Sequence, residues 1–142
     1  MRNNQPVTAR EYKLAPNDYL ISRTDLKGRI TFANRAFIEV SGFTAEELLG
    51  APHNLVRHPD MPRSLFGVLW ETIQSGSEMF GYIKNMTKNG DHYWVLAHVT
   101  ASYDGNGKII GYHSNRRWPE QSSIAKIKPI YAAMLAEEKR HS

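Results

Sequence analysis

Along these 142 residues the spacing of apolar positions switches between two and about 3.6, and each switch marks an element. Tyr19 to Thr24 forms a short strand, Asp25-Leu26-Lys27-Gly28 its turn, and Arg29 to Ala33 the returning strand of a hairpin. Asn34 stands where a helix N-cap belongs, Ala36, Phe37 and Val40 supply a helical stripe, and Gly42 stops it. Thr44-Ala45-Glu46-Glu47 is a capping box opening a short helix that Gly50 ends. Leu65, Val68, Leu69, Thr72 and Ile73 predict a longer helix over Arg63–Ser75, with Gly76 just past its end. Three strands follow, Met79–Thr87, His92–Ser102 and Lys108–Arg117, joined by Lys88-Asn89-Gly90-Asp91 and Asp104-Gly105-Asn106-Gly107.

Parity in the middle strand of that meander sends Tyr93, Val95, Ala97, Val99 and Ala101 to the core face. Trp94, Leu96, His98 and Thr100 fall on the other face, where Trp94 and Leu96 need a cover. The N-terminal segment or a partner subunit is expected to provide it. The same parity turns Asn85 inward, where a buried amide without hydrogen bonds costs about 1–3 kcal/mol. The first residues offer two outcomes, a brief helix capped by Thr8 with Glu11 completing a capping box, or a frayed terminus. The last stretch carries a sparse stripe of Ile124, Ile127, Tyr131, Met134 and Leu135 that Pro129 interrupts, as expected of an exit helix or linker.

Between the short and long helices lies Asn54-Leu55-Val56-Arg57-His58-Pro59-Asp60-Met61-Pro62. It sets a guanidinium, an imidazole and a carboxylate within four residues, and a proline follows close behind the imidazole and the carboxylate. Proline fixes φ and disfavours helix in the residue before it, so the connector is stiff and holds its charges in set directions. Asp60 is expected either to cap the following helix or to pair with Arg57.

Composition narrows the chemistry. Hydrophobic residues make up 41% and charged residues 23%, the values of an ordinary globular domain, and no apolar run approaches a membrane span or a signal-peptide core. A cytoplasmic location is expected, with membrane anchoring of a longer parent left open. Cysteine is absent, which removes disulfides, iron–sulfur clusters and thiolate-held metals. The net charge of +4 is scattered, so it suits an anionic small ligand better than nucleic acid. There is no Gly-rich phosphate loop, nucleophile elbow or metalloprotease motif, and no enzyme is expected. The histidines at 53, 92, 98 and 113 lack helical zinc spacing and are expected at the surface or in packing, with no metal site.

The order of elements over residues 19–117, with Ile30-Thr31-Phe32-Ala33-Asn34, Val40-Ser41-Gly42-Phe43-Thr44, Glu47-Leu48-Leu49-Gly50 and Lys88-Asn89-Gly90-Asp91, resembles a PAS domain. His53 through Pro62, with Lys84-Asn85 and His92-Tyr93-Trp94, is similar to the sensor module of bacterial aerotaxis receptors. The resemblance implies an α+β PAS fold, a five-stranded antiparallel sheet with short helices and one longer connecting helix on one face. It also implies an N-terminal cap over 1–18, a sensor domain over 19–118 and a helical linker over 119–142. Flavin-binding light sensors of the same superfamily carry Asn-Cys-Arg-Phe-Leu-Gln at this connector. Here Pro52-His53-Asn54-Leu55-Val56-Arg57 stands in its place, without the reactive cysteine.

By that resemblance the chain binds FAD non-covalently and reports redox or oxygen status to an output signalling domain, in the same chain or a partner, as a homodimer. Asn85 faces the imide edge of the flavin ring, with one acceptor and two donors to offer. Arg57 contacts phosphate or stacks on a ring. His58 donates to phosphate or ribose or braces Asp60, and Asp60 positions its neighbours. Trp70 stacks on the ring or belongs to plain core, Tyr93 and Arg116 line the pocket, and Asn34 lines it or serves only as N-cap. Two other outcomes stay open: a haem-binding gas sensor with a histidine axial ligand, and a cofactor-free dimerisation module.

Overall fold

The computed structural model describes residues 7–141. Five strands form one antiparallel sheet: β1 (Tyr19–Thr24), β2 (Ile30–Ala33), β3 (Met79–Met86), β4 (His92–Tyr103) and β5 (Ile109–Arg117). Their spatial order is β2-β1-β5-β4-β3, so the first hairpin docks beside the last strand of the meander. The helices between the two strand groups are α1 (Arg35–Ser41), α2 (Ala45–Leu48) and α3 (Arg63–Gln74), with a 3₁₀ turn at His53–Val56. This is the α+β architecture expected, and the strand and helix bounds agree to within a residue or two.

Local chemistry explains the short helices. Asn34 Oδ1 accepts from the Phe37 amide at 3.0 Å, and the Thr44–Glu47 capping box is complete. Gly42 closes α1 at φ 77°, a conformation costly for residues with a side chain. In the sheet, Gly111 is required by contact: a Cβ there would stand 2.1 Å from the Thr24 carbonyl oxygen.

The inner face of the sheet buries Tyr93, Val95, Ala97 and Val99 beneath the helices, as parity predicts, together with Leu20 of β1, while Ala101 of the same set is half-buried. The outer face departs from expectation. Its cover is the C-terminal helix α4 (Gln121–Arg140), which runs unbroken through Pro129. Proline in a helix interior forfeits one backbone bond, but burial of the Ile124, Ile127, Tyr131 and Met134 stripe against the core outweighs that local loss. Tyr131 stacks on Trp94 with centroids 6.2 Å apart and donates to the Tyr82 carbonyl at 2.6 Å.

From Thr8 onward the N-terminal segment corrects both outcomes considered for it, while residues 1–6 lie outside the described residues. It is neither helix nor frayed from Thr8 onward, but runs extended along the β3–β4 turn. Its amide bonds go from Thr8 to Gly90 O and from Tyr12 to His92 O, and Thr8 Oγ1 donates to Asp91 at 2.6 Å. A third correction concerns the start of α3. Asp60 neither caps that helix nor pairs with Arg57. Glu138 of α4 accepts from the Arg63 and Ser64 amides, both at 2.9 Å, and from the Ser64 hydroxyl. A carboxylate at a helix N-terminus satisfies free amides and meets the positive end of the helix dipole.

Candidate cofactor site

A cavity of about 320 Å³ lies between α3 and the inner sheet face. That volume is at the small end of ligand pockets, roughly 300–1,000 Å³. One wall is the apolar flank of α3, Phe66, Leu69, Trp70 and Ile73. The opposite wall comes from the sheet: Ile83 and Asn85 of β3, Val99 of β4, and Tyr112, Ser114 and Arg116 of β5. The β1–β2 turn and Pro52, His53, Asn54 and Arg57 of the connector complete the rim.

The connector reaches the cavity because its 3₁₀ turn is anchored at both ends. At its start His53 N donates to Gly28 O at 3.0 Å, and at its end Arg57 N closes the turn on Asn54 O at 3.0 Å. Arg57 also forms an isolated antiparallel bridge with Asn85, which ties the connector to β3. The Arg57 guanidinium sits 4.7 Å from the centroid of the Phe66 ring, a cation–π geometry that fixes it along the α3 wall.

Arg116 is the dominant charge. It pairs with Ala97 and Leu20 in the middle of the sheet and is only 2% exposed. Its guanidinium donates to Ser22 Oγ at 2.9 Å and Ser114 Oγ at 2.5 Å, approaches His53 Nε2 at 3.3 Å, and lies 4.5 Å over the Phe37 ring. Each of these partners is neutral. Its Nε meets no acceptor among the described residues, and no Asp or Glu lines the cavity. Burial pulls the Arg116 pKa down to about 10.

His53 is turned inward against Ser22 Oγ at 3.0 Å and stacked on Phe37, with centroids 5.9 Å apart. Burial, reinforced by the Arg116 charge, lowers its pKa to about 3, so the imidazole is neutral. Tyr93 lies behind this layer. Burial lifts its pKa to about 12, while the nearby Arg116 charge and Asn85 side chain pull the other way.

Of the residues expected at the site, the cavity thus gathers Arg57, Trp70, Asn85 and Arg116. The other four stand elsewhere. Asn34 spends its amide on the Ile21 and Phe37 amides and the Tyr19 carbonyl. His58 is 1% exposed and accepts from the Asp60 amide through Nδ1 at 3.0 Å, edge-on to His92. Asp60 points to the other side, pairing with Lys84 Nζ at 3.0 Å. Tyr93 is core. Sequence reasoning missed Ser22, His53 and Ser114. Ser114 was within reach, because it shares the face of Arg116 two residues away and pairs with Ser22 across β1 and β5.

A cavity with apolar walls, an amide, two guanidiniums and a donor left unanswered fits an apolar ring system with a polar or anionic edge. The family model for the PAS fold matches residues 30–116. This chain belongs to the PAS family. Over 136 residues this PAS domain is 45% identical to the aerotaxis receptor of Escherichia coli (strain K12), across 96% of the chain and 27% of that receptor. The nitrogen fixation regulatory protein of Klebsiella pneumoniae is 28% identical over 97 residues, 68% of the chain and 20% of the relative. The chain therefore spans well under half the length of these relatives. The dark structure of the blue-light photoreceptor Aureochrome1 LOV superposes with a TM-score of 0.65 at 20% identity, covering 87% of this PAS domain and 84% of that chain. An RNA-binding Light-Oxygen-Voltage receptor gives 0.70 at 19% identity, over 88% of the PAS domain and 36% of that chain. At such identities the likeness concerns the fold. Among the described residues no helix is long and apolar enough to cross a membrane.

Proposed function

We propose that this PAS domain is a redox sensor that binds a flavin, FAD by the resemblance of its connector, and passes the state of the flavin to an output domain outside these residues. The observation that carries the proposal is the cavity itself, apolar on its α3 wall and polar where Asn85, Arg57 and Arg116 converge. Similarity to an aerotaxis receptor over nearly the whole chain supports the same reading.

A bound flavin supplies a ring system that is reversibly reduced, with a change of charge and protonation at its polar edge. Asn85 can reverse its amide to present donor or acceptor to that edge. Arg116 answers negative charge, Trp70 and Phe66 exclude water from the ring faces, and Arg57 with the exposed Asn54 and Lys27 suits a phosphate-bearing tail. The route outward runs through the sheet. Asn85 pairs with Tyr93 across β3 and β4, and the next residue, Trp94, emerges on the outer face against Tyr131 of α4. A reorientation of Asn85 therefore shifts the packing of α4, and a difference of a few kcal/mol between two arrangements suffices to signal.

The absorption spectrum of the purified protein, recorded before and after dithionite, tests the proposal. A flavin spectrum bleached on reduction, with FAD released on denaturation, is the expected result. A Soret band would replace the flavin by haem, and colourless protein that takes up no flavin would leave a cofactor-free module.

A further inference from the structure

We propose that Arg116 makes the cavity selective for charge, so that the reduced flavin ring is held as its singly protonated anion instead of the neutral, doubly protonated form. The inference rests on the flavin reading above. Arg116 is 2% exposed, its partners Ser22, Ser114 and His53 are neutral, and its Nε has no acceptor among the described residues. A buried cation is ordinarily matched by a carboxylate, because removing a guanidinium from water is costly without a counter-charge. This cavity offers none. The titratable groups facing it are Lys27 of the β1–β2 turn, His53 and Arg57 of the connector, and Tyr112 and Arg116 of β5; α3 contributes no charge. Tyr93 of β4 stands beside Arg116 as a neutral phenol. Every one of these is cationic or neutral at pH 7, so the missing counter-charge is left to the ligand.

An oxidised ring is neutral and only hydrogen-bonds to Arg116. Two electrons and one proton convert it to an anion that pairs with the guanidinium. The second proton, which would complete the neutral reduced ring, stays in solvent. A fixed cation in a low-dielectric site favours the charged form of an acid beside it, lowering the ring's affinity for that proton. The selectivity is built into β5 by one residue, in a register where its two neighbours across the sheet are Leu20 and Ala97.

The test uses the whole chain loaded with FAD, its midpoint potential followed against redox dyes from about pH 5.5 to 6.5, on the acid side where a neighbouring cation has the most to displace. The slope gives the protons taken up per two electrons. One proton in the wild type, rising toward two in Arg116→Gln with Arg116→Lys restoring one, is the expected result. Two protons in the wild type, or one in both wild type and Arg116→Gln, would overturn it. Anaerobic titration of the ligand-free chain adds a second arm. Reduced FAD is expected to bind at least about ten-fold tighter than oxidised FAD, a ratio that shrinks in Arg116→Gln. Equal wild-type affinities would count against the inference even if the variant fails to fold. Flavin bound with a two-proton slope removes this inference alone, whereas a chain that binds flavin in neither state removes the flavin reading with it.

Discussion

The proline-stiffened connector divides into two halves that look alike in sequence and behave oppositely. From Pro52 to Arg57, four side chains border the cavity, Pro52, His53, Asn54 and Arg57, while Leu55 and Val56 pack into the core. From His58 to Pro62 the side chains turn into the protein: His58, Met61 and Pro62 are buried, and Asp60 leaves toward Lys84. The pivot is the end of the 3₁₀ turn at Arg57, whose bridge to Asn85 fixes the connector against the edge strand β3. Density of polar groups thus marks the segment as special. It does not say which groups meet a ligand and which brace the backbone that presents them.

The largest expected effect breaks the second half. His58→Ala removes a buried ring and the acceptor of the Asp60 amide, and is expected to destabilise the ligand-free chain by about 3 kcal/mol. Urea denaturation measures it. A loss below about 1 kcal/mol would show that His58 is not the brace described here. The next effect breaks the first half. Arg57→Ala and Asn85→Ala are each expected to weaken flavin binding about thirty-fold, or 2 kcal/mol, while Arg57→Ala costs the ligand-free fold under about 1 kcal/mol. Flavin content after gel filtration and ligand-free melting curves separate the two halves. Retention of full flavin in both variants would remove the cavity assignment.

Much of this molecule is visible in its residues because the governing interactions are local. Asn34, Thr44, Gly42 and the Asn89-Gly90 turn act within a few positions of themselves, and parity over β4 sorts Tyr93 from Trp94 without knowledge of the partner layers. What parity could not supply was the identity of those layers. The cover over Trp94 is Tyr131, and the cap of α3 is Glu138, 74 positions from Ser64. Neither pairing has a short-range signal, and Pro129 argued against a continuous helix there. The site divides the same way. Asn85 and Arg116 followed from strand register, but His53 and Ser22 meet Arg116 only once β1, β5 and the connector converge. A histidine outside any metal spacing gave no reason to place it in the cavity wall.

A smaller effect sharpens the comparison within the first half. His53 has a folded pKa of about 3, lowered by burial and by Arg116, against an ordinary value near 6.5 in the unfolded chain. Between those values the unfolded state binds the extra proton. Stability is therefore full above about pH 6.5 and falls as the solution is acidified, by up to about 1.4 kcal/mol per pH unit from this group. His92 and His113 are shifted in the same direction, so the test is the difference between wild type and His53→Gln. Urea midpoints from about pH 7 down to 5 are expected to drop less steeply in the variant. Parallel pH profiles would show that His53 is already open to protons in the folded chain.

The smallest effect concerns Asp60, where the two halves of the connector are easiest to confuse. Its carboxylate is close to Arg57 and His58 in sequence, and a role at the ligand is what the motif suggests. In the fold its side chain is 62% exposed and engages Lys84 across a 3.0 Å ion pair on the far side of β3 from the cavity. A largely exposed pair contributes up to about 1 kcal/mol and is screened by salt. Asp60→Asn keeps the shape and removes the charge. It is expected to cost under about 1 kcal/mol, less still in high salt, and to leave flavin affinity unchanged. If Asp60→Asn instead released the flavin from a chain that stays folded, the second half of the connector would belong to the ligand as well, with part of the cofactor reaching around β3 toward Lys84.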